Sequence, residues 1–317
     1  MPAWLERAKN DYLNRRLSRH DLDEMHDAAR KAAIKDQEVA GVDIVTDGEL
    51  QRDNMIDYFT ERLPGVQVDL GSKRFYYDFY DTEVRSKLAT GSLGLTEEIK
   101  FLKKYTDHTT KISVSGPHTL VKRIRNSFYP TEAEFALDLG RALNFELKEM
   151  ARNGATELQI DEPYYSGFPE DLPWAVKAVN AAVEGVNAHV TLHICYGNRY
   201  GKPSFEGSYK YLFPTILEAK VHALSLEFAR RGEDDLQLFK EFKVPFALAM
   251  GVVDVKTNDV ESAGLIADRI RRALAVIPAE RLIINPDCGL VHLPRDVAFN
   301  KLSAMAEGTR MVREGLT

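Results

Sequence analysis

The sequence predicts a single α/β domain built as a (β/α)8 TIM-type barrel, and three observations predict it. Short apolar runs rich in β-branched residues alternate with longer amphipathic stretches from about residue 20 to the end. Each apolar run is followed by polar or Gly/Pro residues where a loop should begin, and no phosphate-cradling glycine-rich turn follows any of them to favour an open doubly wound sheet.

Seven strands are expected, at residues 42–46, 111–114, 157–160, 189–194, 223–227, 246–253 and 281–284. Helical patterns lie between them, for example over 21–40 and 132–153. The second opens with Thr131 and Glu134 at capping-box spacing and stops at Asn153-Gly154. The phrase helix, loop, strand recurs around residues 38–45 and 149–158, which argues for repeated βα units in one domain over 1–317. Residues 65–81 depart from the pattern: Val66, Val68 and Leu70, then Gly71-Ser72, then Phe75, Tyr77 and Phe79 predict a β-hairpin inserted after the first strand.

Composition narrows the function classes. With 317 residues, 44% hydrophobic and 28% charged, the chain can bury a sizeable core. A formal net charge of −6 argues against a nucleic-acid partner held by phosphate neutralisation. Apolar stretches of about ten residues are too short to span a bilayer, and the first residues lack a secretory signal pattern, so a cytoplasmic protein with no membrane partner is expected. The two cysteines, Cys195 and Cys288, cannot form a disulfide framework and are expected as thiols or metal ligands.

The strand ends carry the chemistry. In Thr191-Leu192-His193-Ile194-Cys195 the period of two in a strand puts His193 and Cys195 on one side. Leu226-Glu227 ends another strand with a carboxylate, and Asp287-Cys288 follows a third. Strand C-termini form the active face of such barrels, so residues distant in sequence converge there. Two thiolates, an imidazole and a carboxylate make a tetrahedral set that suits Zn2+. Against this stands the simpler assignment of both cysteines as small buried hydrophobes, and the pattern alone weighs the two evenly.

Four segments taken together tip the balance: Ile44-Val45-Thr46-Asp47-Gly48-Glu49, Gln159-Ile160-Asp161-Glu162-Pro163, His193-Ile194-Cys195 and Asn285-Pro286-Asp287-Cys288-Gly289-Leu290. In this order they resemble the C-terminal catalytic barrel of cobalamin-independent methionine synthases, over nearly the whole chain. The resemblance implies a cytoplasmic zinc methyltransferase that transfers a methyl group to the thiol of L-homocysteine to give methionine. It places the metal on His193, Cys195, Glu227 and Cys288, and the substrate ammonium on Glu49 and Asp161. His118 is a further candidate for the substrate pocket.

Departures from the family pattern shape the expected donor. A second, N-terminal barrel has no room here. Arg123 stands in the segment where full-length members place a tryptophan against a pterin, and Lys256 stands for their proton-donating histidine, leaving Lys256 and Asp254 as the catalytic candidates of that loop. These changes point to methylcobalamin or a methylated corrinoid protein as donor, ahead of a methyl-folate. Alkyl transfer to another thiol, as in epoxyalkane:coenzyme M transferases, is the alternative activity. Relatives also open with a strand bearing Gly-Ser-x-Pro-Arg-Pro, absent here, so the barrel is expected to lack or replace its first strand and to show two unpaired edges.

Overall fold

A computed structural model describes residues 1–316. In chain order the helices are α1 (Ala3–Leu13), α2 (Arg19–Ala40), α3 (Asp57–Thr60), α4 (Thr96–Tyr105), α5 (Pro117–Val121), α6 (Glu132–Arg152), α7 (Leu172–Val183), α8 (Leu236–Glu241), α9 (Ala263–Leu274) and α10 (Arg295–Glu314). The strands are β1 (Ile44–Val45), β2 (Val66–Asp69), β3 (Asp81–Val84), β4 (Thr109–Ser115), β5 (Arg125–Asn126), β6 (Glu157–Asp161), β7 (His189–Ile194), β8 (Ala223–Glu227), β9 (Ala247–Val253) and β10 (Leu282–Pro286).

Seven strands form one curled parallel sheet in the order β1-β4-β6-β7-β8-β9-β10, with a helix or helical turn in each connection. This is a TIM-type barrel, and its seven strands overlap the seven expected segments. One hydrophobic cluster runs between sheet and helices from Ile34 to Val312.

Local sequence explains the element ends. Ser18 accepts from the Asp21 amide at 3.1 Å to open α2, and Thr131 accepts from the Glu134 amide at 3.2 Å to open α6. Both helices then stop at a glycine in the left-handed region, Gly41 at φ 86° and Gly154 at φ 90°, so the repeated phrase in the sequence is a repeated C-terminal stop. Thr131→Ala should lower stability by about 1 kcal/mol in urea unfolding without changing activity, because an exposed N-cap is lost far from the strand ends. A loss below about 0.3 kcal/mol would remove the cap from the account of α6.

The sheet does not close on itself: β1 pairs only with β4 and β10 only with β9. All five residues of β10 are half-buried, whereas all five of β8 are buried. The expected pair of free edges is therefore present. The segment before β4 was expected as a hairpin turning at Gly71-Ser72, and here the outcome differs. β2 does pair antiparallel with a partner, but that partner is β3, starting at Asp81. The aromatic stretch 75–79 lies in the connection. Asp78 bonds back to Phe75 through both amide and carboxylate, and Asp57 receives the Lys73 ammonium at 2.9 Å and the Tyr80 amide at 3.0 Å. These polar ties fold the stretch into turns that alternation alone does not reveal. β5 adds to β3 in parallel and completes a small three-stranded sheet. Among the described residues no helix is long and apolar enough to cross a membrane.

Candidate metal and thiol-binding site

Register brings the functional strand ends side by side. Asp161 of β6 lies opposite His193 of β7, His193 opposite Ser225 of β8, and Glu227 of β8 opposite Gly251 of β9, which is itself opposite Asn285 of β10. Cys195 follows β7 by one residue and Cys288 follows β10 by two. The donor atoms of His193, Cys195 and Cys288 all lie within 4.8 Å of one another, and the two sulfurs are 3.8 Å apart without a disulfide.

The chemistry of that trio fits a borderline-soft divalent ion such as zinc. His193 Nδ1 is 3.1 Å from Ser225 Oγ, which leaves Nε2 as the nitrogen presented to the sulfurs. The thiols are strongly unequal. The hydrogen bond between them, with burial, pushes Cys195 well above the ordinary thiol range, while the same bond and then His193 hold Cys288 well below it. Burial disfavours the charged imidazole, yet Cys288, Asp161 and Glu227 together raise His193 above its usual value.

Glu227, the fourth expected donor, lies beside the trio with both oxygens engaged elsewhere. Oε1 accepts from the Tyr196 amide at 2.6 Å and Oε2 from Lys256 Nζ at 2.7 Å. Lys256 thus ends on the Glu227 carboxylate. Asp254 does not reach the cluster through any hydrogen bond; its Oδ1 accepts from the Lys256 amide at 2.8 Å and so shapes the turn that aims the lysine.

A carboxylate pair faces the same mouth. Glu49 has φ 54°, an uncommon conformation for a non-glycine residue, fixed by its amide on Asp47 Oδ1 at 2.9 Å. Its carboxylate accepts from Ser113 Oγ and lies 3.4 Å from Arg52, with two-fifths of the side chain (41%) still open. Desolvation raises its pKa, Arg52 opposes, and Asp161 raises it further. Asp161 accepts from Gln159 Nε2 at 2.7 Å and is itself raised by burial, against the pull of His193. Two carboxylates that are both raised, one by the other, make a site where an ammonium group relieves both.

His118 makes its contacts with other residues. It is fully buried against Tyr165 and Trp174, with Nε2 3.0 Å from Asp171, and it opens α5 by donating its amide to Glu162. Its ring lies between Tyr165, in the turn after β6, and Trp174 of α7.

Residues 3–311 match the family described as "Cobalamin-independent synthase, Catalytic domain". The chain belongs to this family. It is 37% identical to a methionine synthase of Saccharolobus solfataricus, across 99% of this chain and 92% of that protein, and 33% identical to one of Sulfolobus acidocaldarius, across 99% and 90%. The structure of a B12-independent methionine synthase from Shewanella sp. W3-18-1 in complex with selenomethionine superposes with a TM-score of 0.84 at 29% identity, covering 95% of this chain and 91% of that one. A putative vitamin-B12 independent methionine synthase from Listeria monocytogenes shares the fold with a TM-score of 0.77 at 19% identity. This cobalamin-independent synthase chain is therefore a methyltransferase. The family description runs against the expected corrinoid donor and corrinoid partner protein, for which these relatives offer no support.

Several residues that build the synthase mouth were not singled out from the sequence. Ser225, Gln159 and Ser113 each sit two residues or more before a strand's last inward-facing position, so the period of two that linked His193 to Cys195 would have found them too. Asp287 is fully buried and accepts from the amides of Phe228, Ala229 and Arg230 at 2.9–3.0 Å, clamping the loop after Glu227 onto the turn that carries Cys288. Only its adjacency to Cys288 hinted at this.

Proposed function

We propose that this chain transfers a methyl group to the thiol of L-homocysteine, forming methionine, with the thiol activated at a zinc site. The single observation that carries the proposal is the meeting of one nitrogen and two sulfur donors, His193, Cys195 and Cys288, with His193 directly across the β6–β7 register from Asp161. A zinc ion held there would supply a cation that favours the thiolate over the thiol near neutral pH.

The chain's own groups do the rest. Ser225 holds the His193 ring through Nδ1, so the ring does not turn away from the sulfurs. Asp287 holds the loop after β8 against the turn after β10 and keeps Cys288 in reach of Cys195. Asp161 and Glu49 offer two anions to the substrate ammonium, which fixes the thiol of an amino acid about one short side chain away. The same two anions repel a sulfonate, and this disfavours a coenzyme M-like thiol as substrate.

The donor expected from the sequence, methylcobalamin or a methylated corrinoid protein, has the family's cobalamin-independent description against it and the Arg123 and Lys256 replacements in its favour. Arg123 lies 4.0 Å from the Phe79 ring, and Lys256 is tied to Glu227 and so is not free to protonate a pterin. Turnover with homocysteine and either methylcobalamin or a methyl-folate tests both halves. Methionine from methylcobalamin supports the corrinoid donor, methionine from the folate alone corrects it, and no methionine from either rejects the proposed reaction.

A further inference from the structure

Arg123 and Arg199 meet at one aromatic ring. Their guanidinium carbons lie 4.0 and 4.8 Å from the centroid of Phe79, and among the described residues neither side chain has a carboxylate within 4 Å or a hydrogen-bond partner. Arg123 Nε is buried without a partner. Elsewhere in this acidic chain Arg30, Arg52, Arg230 and Arg269 each pair with a carboxylate. We propose that Arg123, Phe79 and Arg199 form a binding site for an oxyanion, a carboxylate or phosphate carried by the methyl donor. The inference rests on the methyl-transfer reading above and adds a recognition element for its second substrate.

The three residues come from separate elements, each held by its own backbone. Phe79, just before β3, packs on the main hydrophobic cluster, so its ring is anchored. Arg123 follows α5; its amide donates to the Leu120 carbonyl at 3.0 Å, and its own carbonyl accepts from Thr82 Oγ1 of β3 at 3.4 Å. Arg199 and Lys202 exchange both backbone hydrogen bonds at 3.1 Å around Tyr200 at φ 53° and Gly201 at φ 71°, with positive φ at both central residues as in a type I′ turn. Asn198 ties this turn to the one after β10, since its side-chain amide donates to the carbonyl of Gly289, the residue after Cys288, at 2.9 Å. The site therefore belongs to the loops beyond the C-terminal strand ends, the face on which such barrels bind their substrates.

A guanidinium lying over an aromatic face keeps its in-plane N–H groups free, and these match the paired oxygens of a carboxylate or phosphate. Two such cations on one ring repel each other. An anion shared by both relieves that repulsion and gains charge-assisted hydrogen bonds. Arg199 is exposed, so an anion reaches it from solvent. Glu49 and Asp161 make the opposite demand at the same mouth, because they call for an ammonium. Charge alone then sorts the amino-acid acceptor and the methyl donor onto different parts of the loop crown.

Calorimetric titration of the full chain compares two donor pairs that differ in charge: a methyl-folate against its neutral glutamate diamide, and methylcobalamin against methylcobinamide, which lacks the phosphate. The charged member of one pair should bind at least about 10-fold tighter than its counterpart, and that pair identifies carboxylate or phosphate as the ligand. Arg123→Gln and Arg199→Gln should each weaken the charged member at least about 5-fold and the neutral member less than about 2-fold, with KM for homocysteine and the urea midpoint unchanged. Equal binding within both pairs or none in either, a preference that survives both substitutions, or an equal loss for charged and neutral members overturns the inference and leaves the arginines as packing for Phe79. A rise in homocysteine KM with donor binding unchanged overturns it as well, by assigning the arginines to the amino acid. Arg199 is exposed, so its substitution still decides if Arg123→Gln does not fold. The titrations need no turnover: failure of the unmodified protein to form methionine or to bind zinc rejects the methyl-transfer reading, while the charge preference stands or falls on its own.

Discussion

Replacing Cys288 with serine should remove metal and turnover together while leaving the fold intact. Cys288 is half-buried on a turn after β10, outside the main hydrophobic cluster, so exchanging sulfur for oxygen deletes no core contact. What it deletes is one of two sulfurs lying 3.8 Å apart, and a neutral hydroxyl is a poor substitute for a thiolate on a soft cation. Altering groups that merely orient zinc ligands costs about 10- to 100-fold in metal affinity, so loss of a donor should exceed about 100-fold. Zinc content after dialysis, methionine formation and the urea midpoint separate the outcomes. Full zinc retention with normal turnover would make Cys288 a bystander, and loss of the fold would make it structural.

The second large effect belongs to Asp161. Asp161→Asn keeps the shape and the Gln159 contact but removes one of the two anions at the mouth. Truncating one side of a desolvated charge pair costs about 2–5 kcal/mol, so KM for homocysteine should rise at least about 30-fold. Zinc content should stay unchanged. Glu49→Gln should do less, because that carboxylate is two-fifths open and already shared with Ser113 and Arg52. The comparison with a thiol lacking the amino group completes the test. If Asp161→Asn weakens both thiols equally, the carboxylate supports the site generally and does not read the ammonium.

Cys288 was visible in the sequence for a physical reason, because it lies at the end of an apolar β-branched run and strand ends in a barrel converge whatever their spacing along the chain, whereas Asp161 was singled out through the family resemblance. The interior strands were legible for the same reason: β7 and β8 run over His189–Ile194 and Ala223–Glu227 because burial on both faces gives an unbroken apolar run. Edge strands were less so. β1 shrinks to Ile44–Val45 because it pairs on one side only, and its flanks Asp43 and Thr46 have no ladder partner.

The aromatic stretch 75–79 misled by its alternation. Tyr76 is buried while Tyr77 turns towards His292 and Tyr200, with ring centroids 5.1 and 5.3 Å away, so the stretch packs by aromatic contact and not by a ladder. The Lys256–Glu227 pair was out of reach of any sequence pattern. Its partners lie on different strand ends, and either residue alone has a plausible separate role, one as proton donor and the other as metal ligand. Only the three-dimensional structure shows that the two side chains meet.

X-ray absorption at the zinc edge, with and without homocysteine, tests the central claim most directly. A zinc site built on His193, Cys195 and Cys288 that activates the substrate thiol predicts two protein sulfurs on zinc in the free protein and a third when homocysteine is added. A sulfur count that stays the same on adding the thiol, or a free protein whose zinc carries no sulfur, would contradict the account.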